Sequence, residues 1–272
     1  QNLQDQICKG LEAADGTTKF REDIWERPEG GGGRTRVIEN GKVFEKGGVN
    51  ISAVHGKLPD SMQKLFNVGE ADFFACGLSL VLHPKNPMVP TVHANWRYFE
   101  MYDTSTSLST GSRKVIQQWF GGGQDLTPYY LFEEDAKHFH QTCKTACDKH
   151  NLEFYPKYKK QCDEYFWNAH RNEARGIGGL FFDYCKANEQ MSMENWFNFV
   201  TEVGNSFLEA YVPIVEKRKN LLYSDANRTW QEIRRGRYVE FNLVHDKVTL
   251  FGLKTNGRIE RILRSLPYIV QR

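Results

Sequence analysis

The sequence predicts an α+β fold: a single domain over residues 1–272, built on a large, mainly antiparallel β-sheet flanked by α-helices. Three observations lead there. Strand-like runs succeed one another up to residue 102, apolar residues take helical spacing beyond Pro128, and strand-like patterning returns near the C-terminus. Strands, then helices, without alternating strand–helix units or internal repeats, is the order of an α+β domain rather than of a parallel sheet. No linker-like stretch divides the chain.

The elements follow in order. Leu3, Ile7 and Leu11 fall on one helical stripe and predict a short amphipathic helix over residues 2–14. "RTRVIENGKVFEK" reads as two strands around Asn40-Gly41, a pair suited to a tight type I′ turn with positive φ at both positions. "VNISAVHG" continues the β character, and residues 73–82 and 91–102 are further strands, separated by Pro84, Pro87 and Pro90. Three helical stripes follow: Phe132, Ala136, Phe139, Cys143 and Ala146; then Cys162, Phe166, Ala169 and Glu173; then Trp196, Phe199, Val200, Val203 and Phe207, with Ser192 as N-cap. "RYVEFNLVH" (237–245) and "VTLFGLK" (248–254) predict a closing hairpin.

Composition narrows the function classes. A chain of 272 residues with 40% hydrophobic and 26% charged residues is an ordinary globular protein that folds without staples. The 18 Phe, 12 Tyr and 6 Trp suit strands and the walls of an apolar pocket. A net charge of +2 gives no general affinity for polyanions, so no nucleic-acid partner is expected. No stretch reaches the roughly 20 apolar residues of a membrane span. Six scattered cysteines read as buried thiols of a reducing compartment. A cytoplasmic location is therefore expected, or a mitochondrial or plastid one if a targeting segment has been removed.

Two glycine runs stand out, Gly30–Gly33 and Gly121–Gly123. Neither is a P-loop or a dinucleotide fingerprint: Gly41-Lys42 is followed by Val43, and Arg36 and Leu126 stand where a third fingerprint glycine belongs. Zincin, serine-hydrolase and dithiol signatures are missing too. The first run reads either as a surface turn or as a loop beside a site, with Arg34 and Arg36 next to it.

The stretch "WERPEGGGGRTRVIENGKVFEKGGVNISAVHG" (25–56) resembles the N-terminal signature of the oxygen-dependent coproporphyrinogen III oxidases. The likeness continues in family order through "SLVLHPKNPMVPTVHANWRYFE" (79–100), "WFGGGQDLTPYY" (119–130), "YPKYKKQCDEYF" (155–166), "HRNEARGIGGLFFD" (170–183) and residues 234–267, almost the whole chain. It implies oxidative decarboxylation of two propionates of coproporphyrinogen III to vinyl groups in haem biosynthesis, giving protoporphyrinogen IX with release of carbon dioxide and hydrogen peroxide. It implies dioxygen as co-substrate, no required metal or organic cofactor, and a homodimer joined through the C-terminal region, about 238–272. Two rival readings are a non-catalytic tetrapyrrole binder and a metal-dependent oxygenase.

The residues can be set against that chemistry. A reduced tetrapyrrole offers carboxylates at its rim and pyrrole N–H groups at its centre. Binding it calls for apolar walls, guanidinium groups and an acceptor. Strand alternation puts His93, Asn95 and Arg97 on one face, and Ala94, Trp96 and Tyr98 on the other. By the resemblance, His93 is the proton donor, while Ser79, Asn95, Trp96 and Arg97 line the substrate, although the family commonly has Tyr at position 96. Asp125 reads either as a helix cap before Pro128 or, by motif position, as the carboxylate facing the pyrrole N–H groups. Asn256, Gly257 and Arg258 match the late substrate-binding tripeptide, with Asn256 departing from the usual Gly. Arg175 is a further candidate carboxylate partner, and the Gly30–Gly33 run becomes a substrate-proximal loop with Arg34 and Arg36 meeting propionates. A metal, if one binds, has His83, His93, His140 and His170 as family-described ligands. The local set His140, Cys143, Cys147 and His150 lies along one helix and cannot surround a tetrahedral ion.

Overall fold

The computed structural model describes residues 1–104, 114–246 and 266–271. Nine strands and seven helices run as α1 (Asn2–Asp15), β1 (Arg21–Glu26), β2 (Gly31–Glu39), β3 (Phe44–Lys57), α2 (Asp60–Phe66), β4 (Ala71–Pro84), β5 (Thr91–Asp103), β6 (Val115–Thr127), α3 (Glu133–Asp148), α4 (Phe154–Tyr165), β7 (Trp167–Asn168), β8 (Glu173–Ala174), β9 (Gly178–Cys185), α5 (Met193–Asn205), α6 (Phe207–Arg218) and α7 (Asp225–Val244) among the described residues. Seven strands pair antiparallel in the order β1-β2-β3-β4-β5-β6-β9, and β7 and β8 form a separate small ribbon. The α+β expectation holds.

Alternation divides the sheet into two faces. Leu78, Leu80 and Leu82 of β4, Val92, Ala94 and Trp96 of β5, and Leu180 and Phe182 of β9 point into the main core, which includes residues of α1, α3, α4, α5 and α6. Alpha5 is capped as its sequence predicts, the Ser192 side chain accepting from the Asn195 amide. Among the described residues, helices cover the opposite face at its two ends. Alpha2 closes one end over Leu58, Ala71, Met101 and Trp119. Alpha7 closes the other, where Tyr238 meets the buried His83 ring edge-on. Alpha4 runs along the β9 edge and reaches both faces, with Tyr158 against Phe182 and Tyr165 stacked on Phe181.

Several expectations need correction. Residues 237–244 of the anticipated closing hairpin belong to α7, whose start is a capping box between Ser224 and Asn227. The partner run 248–254 lies outside the described residues. Gly31–Gly33 form no loop: they open β2 and pair with β1 and β3. The second helical stripe stops at Tyr165, and Glu173 belongs to β8. The Asn40-Gly41 connection is wider than a type I′ turn, because only Asn40 (φ 57) takes positive φ. Its amide donates to Glu45 O at 2.9 Å, while the Asp15 carboxylate accepts from the amides of Lys42, Val43 and Phe44 at 3.2, 2.9 and 3.0 Å. A buried carboxylate from α1 thus supplies the partners that the loop's own backbone lacks.

Candidate active site

The partly open face has small residues at its centre. Register places Thr35, Asn50, Ser79, Asn95, Gly123 and Phe181 in one row across β2 to β9, and Gly33, Ser52, Gly77, Arg97 and Gly121 in the next. Ser79 is exposed in the first of these rows. With adjacent strands about 4.8 Å apart, the stretch from β3 to β6 makes a floor of roughly 15 Å with few projecting side chains. Glycine at 121 leaves the space that Arg97 and Asp183 occupy, because a Cβ there would lie 2.6 Å from Asp183 Oδ1 and 3.0 Å from Arg97 Nε.

Aromatic walls stand at both ends of this floor. On the α2 side Phe99 stacks on Trp119 at 4.5 Å, and Tyr184 lies 5.2 Å from the same indole. On the α7 side Phe166 meets the His93 ring edge-on at 5.9 Å.

A chain of polar contacts crosses the floor. Arg97 donates from Nη1 to Asn95 Oδ1 at 2.5 Å and pairs with Asp183 at 3.0 Å. Because arginine has only donors, the contact fixes the Asn95 amide with Nδ2 turned toward His93 Nε2, 3.3 Å away. On the other side of the imidazole, Nδ1 lies 2.7 Å from Asp125 Oδ1, and Arg175 Nη2 donates to Asp125 Oδ2 at 2.6 Å. A carboxylate only accepts, so Nδ1 carries the hydrogen and Nε2 presents its lone pair to Asn95. The resting imidazole is therefore arranged as a proton acceptor facing the cleft, with a side-chain exposure of 20%.

Asp125 and Arg175 are 2% and 4% exposed. Burial alone would push the Asp125 carboxyl up, but the Arg175 charge and the His93 contact hold it below the ordinary carboxylate range. Arg175 is caged by aromatic faces, with Phe166 at 3.7 Å, Tyr238 at 4.8 Å and Phe241 at 4.9 Å from its guanidinium carbon.

The structure brings His93, Asp125, Ser79, Asn95 and Arg97 together on one face. Arg175 joins them differently from the expectation: the carboxylate it meets is the protein's own, and the cage leaves it no access to a propionate. Trp96 lies on the other face, buried against Phe207 at 6.1 Å, because alternation points it into the helical layer. Arg34 and Arg36 take that same side and pair with Asp5 and Glu22, so the expected contact with propionates is corrected. Asn256, Gly257 and Arg258 lie outside the described residues.

The four histidines sit apart. His83 is buried under α7, His93 faces the cleft, His140 meets Ile177 O from α3 at 3.1 Å, and His170 meets His245 and Glu240 beyond β7. Among the described residues no three His, Cys, Asp or Glu side chains form a metal-holding group.

Four residues escape the sequence reading: the Arg175 cage residues Tyr238 and Phe241, the Arg97 partner Asp183, and Asn50. Gly48, Asn50 and Ser52 alternate with the apolar Val49, Ile51 and Ala53, and that period of two is the available signal.

Comparison with known proteins resolves the family. The family model for coproporphyrinogen III oxidase matches residues 1–272. The chain belongs to the coproporphyrinogen III oxidase family. It is 54% identical to the oxygen-dependent coproporphyrinogen-III oxidase, chloroplastic, of Glycine max, over 98% of this chain and 69% of that protein. It is 52% identical to coproporphyrinogen-III oxidase 1, chloroplastic, of Arabidopsis thaliana, over 97% of this chain and 68% of the relative. The oxygen-dependent enzyme of Drosophila melanogaster is 51% identical, with 97% and 68% covered. Among the described residues of this coproporphyrinogen III oxidase family member, no helix is long and apolar enough to cross a membrane.

Proposed function

We propose that the protein converts coproporphyrinogen III to protoporphyrinogen IX with dioxygen, through His93 acting over the glycine-and-serine floor. The observation that carries this reading is the chain Arg97–Asn95–His93–Asp125–Arg175, which fixes one imidazole tautomer at the edge of an open cleft. The flat floor takes a macrocycle face, and Arg97, with 27% side-chain exposure, meets a propionate.

The balance of the reaction sets the roles. Each propionate loses carbon dioxide and a hydrogen from its ring-attached carbon. The electron pair goes to dioxygen, which leaves with two protons as hydrogen peroxide. His93 takes up a proton at Nε2 and returns it later in the cycle, so the donor role implied by the resemblance follows an acceptor step. Asp125 and Arg175 are positioning residues: the carboxylate holds Nδ1–H and stabilises the imidazolium, and the caged guanidinium keeps that carboxylate ionised. Asp125 does not itself reach the pyrrole N–H groups in this reading.

The protein works without a required metal or organic cofactor in this proposal, and as a homodimer, which sedimentation of the purified protein tests. The names of two plant relatives point to the plastid as a compartment beside the expected cytoplasm. The deciding experiment follows vinyl formation, carbon dioxide and peroxide from coproporphyrinogen III, with oxygen and without it, after exhaustive chelation. One carbon dioxide and one peroxide per vinyl, only with oxygen, are expected. His93→Ala should slow turnover by ~10²–10⁴, and a near wild-type rate would remove this side chain from the mechanism.

A further inference from the structure

If the floor receives a reduced tetrapyrrole, the pyrrole N–H groups need acceptors, and most acceptors nearby are engaged. Both Asp125 oxygens are taken, Oδ1 by His93 and Oδ2 by Arg175. Asn95 Oδ1 is taken by Arg97, and His93 Nε2 receives the Asn95 amide. Asp183 is shared between Arg97 and the amide of Tyr184.

Asn50 differs. It stands on β3 in the row with Ser79, Asn95 and Gly123, two strands from Asn95. Its Oδ1 is sealed from solvent and meets no donor among the described residues. A sealed carbonyl without a donor costs about 1–3 kcal/mol, so its retention asks for a reason. Gly48, two residues away on the same face, carries no side chain to bar a turn of the carboxamide, whereas a Cβ there would already touch it, 3.4 Å from Nδ2 and 3.8 Å from Oδ1. A half-turn exchanges oxygen and nitrogen without giving up the oxygen's hydrogen bond, because it has none.

We propose that Asn50 is a substrate-binding residue whose Oδ1 accepts a pyrrole N–H and selects the reduced ring over the oxidised one. The inference rests on the functional reading above. A porphyrinogen carries a hydrogen on every pyrrole nitrogen. In the oxidised porphyrin half of those nitrogens are bare acceptors, which face the Asn50 oxygen unfavourably. Asn50 therefore reads the oxidation state of the macrocycle, a task the rim arginines cannot perform because both rings carry the same carboxylates.

The test is anaerobic equilibrium binding of coproporphyrinogen III and of coproporphyrin III to the wild type, Asn50→Ala and Asn50→Leu, with thermal unfolding alongside. Leucine keeps the bulk and removes the hydrogen bonding. Both variants should bind the reduced ring about three- to tenfold more weakly, the loss of one neutral hydrogen bond. The oxidised ring should change less than about twofold, and the melting temperature should hold or rise because a sealed unpaired carbonyl is gone. Reduced-ring affinity kept within twofold, equal weakening of both rings, or a melting temperature that falls with affinity would each overturn the proposal. Wild-type protein that fails to bind the reduced ring overturns the functional reading with it, whereas a wild type that binds beside indifferent variants sinks this assignment alone.

Discussion

At the scale of single residues, the buried ion pair between Asp125 and Arg175 sets how the site responds to substitution and to pH. Asp125→Asn keeps the shape of the side chain but leaves a guanidinium, 4% exposed, without its counter-charge. Removing one partner of such a pair costs about 3–5 kcal/mol. The amide can also donate to His93 Nδ1, so the tautomer with Nε2 facing the cleft loses its advantage. The sign of the pH effect follows from the depressed carboxyl. The unfolded chain titrates near the ordinary aspartate value of about 3.9, and the folded site titrates lower. Its contribution is thus fully present above that value and is lost as pH falls through the folded one. Urea midpoints of wild type and Asp125→Asn between pH 2 and 7 should lie furthest apart above about pH 4 and converge in acid. A gap that is constant with pH would mean that the carboxyl titrates alike in the folded and unfolded chain, and one that shrinks as pH rises would mean that it is neutral in the fold.

Among the elements, α7 does the most for the site while touching none of its reacting groups. Arg235, 1% exposed, donates to Pro84 O at 2.8 Å and to Tyr129 Oη at 3.3 Å, and pairs with Glu45. Arg228 adds a second bond to Glu45 at 2.7 Å. These contacts tie α7 to β3 and β4, and so place Tyr238 and Phe241 around Arg175. Arg235→Met should cost about 3 kcal/mol in urea unfolding and lower kcat as well, because the cage loosens. Unchanged kcat at lower stability would separate the anchor from the cage. The same helix shows why its C-terminal half resembles a strand in sequence. Its buried positions Gln231, Arg235, Tyr238 and Phe241 keep helical spacing, but two are polar, so the apolar period is interrupted and "RYVEFNLVH" looks like a strand. The core helices and β3 to β5 were legible because their buried positions are apolar at a clean period. His93, Asn95 and Arg97 were legible as a face for the same reason. Beta6 was not, because Gly121–Gly123 carry no side chains to show a period, and the space they leave is set by Arg97, Asp183 and β9 beside them. A close approach between distant residues leaves no local mark in the chain.

For the whole molecule, one sheet carries two tasks on its two sides, and the tasks should separate by mutation. Leu80 is 1% exposed on the helix-packed face and fills the main core. Leu80→Ala should lower stability by about 2–5 kcal/mol, and KM at a temperature where the variant stays folded should not move. Gly121 lies on the other face, where a Cβ would press on Arg97 and Asp183 at the ends of flexible side chains. Those ends can shift, so Gly121→Ala should leave the melting temperature almost unchanged while displacing Arg97 and raising KM for the tetra-anionic substrate. Gly123→Ala is the control for space alone, since its Cβ would sit 2.1 Å from Leu180 O, a backbone atom held in β9. It should destabilise the sheet at the β6–β9 join. The reasoning requires the order of effects to differ between the two readouts: Leu80 and Gly123 dominate in unfolding, and Gly121 dominates in KM. If KM rises in proportion to lost stability across all three variants, the two faces are coupled and the open one is not an independent binding surface.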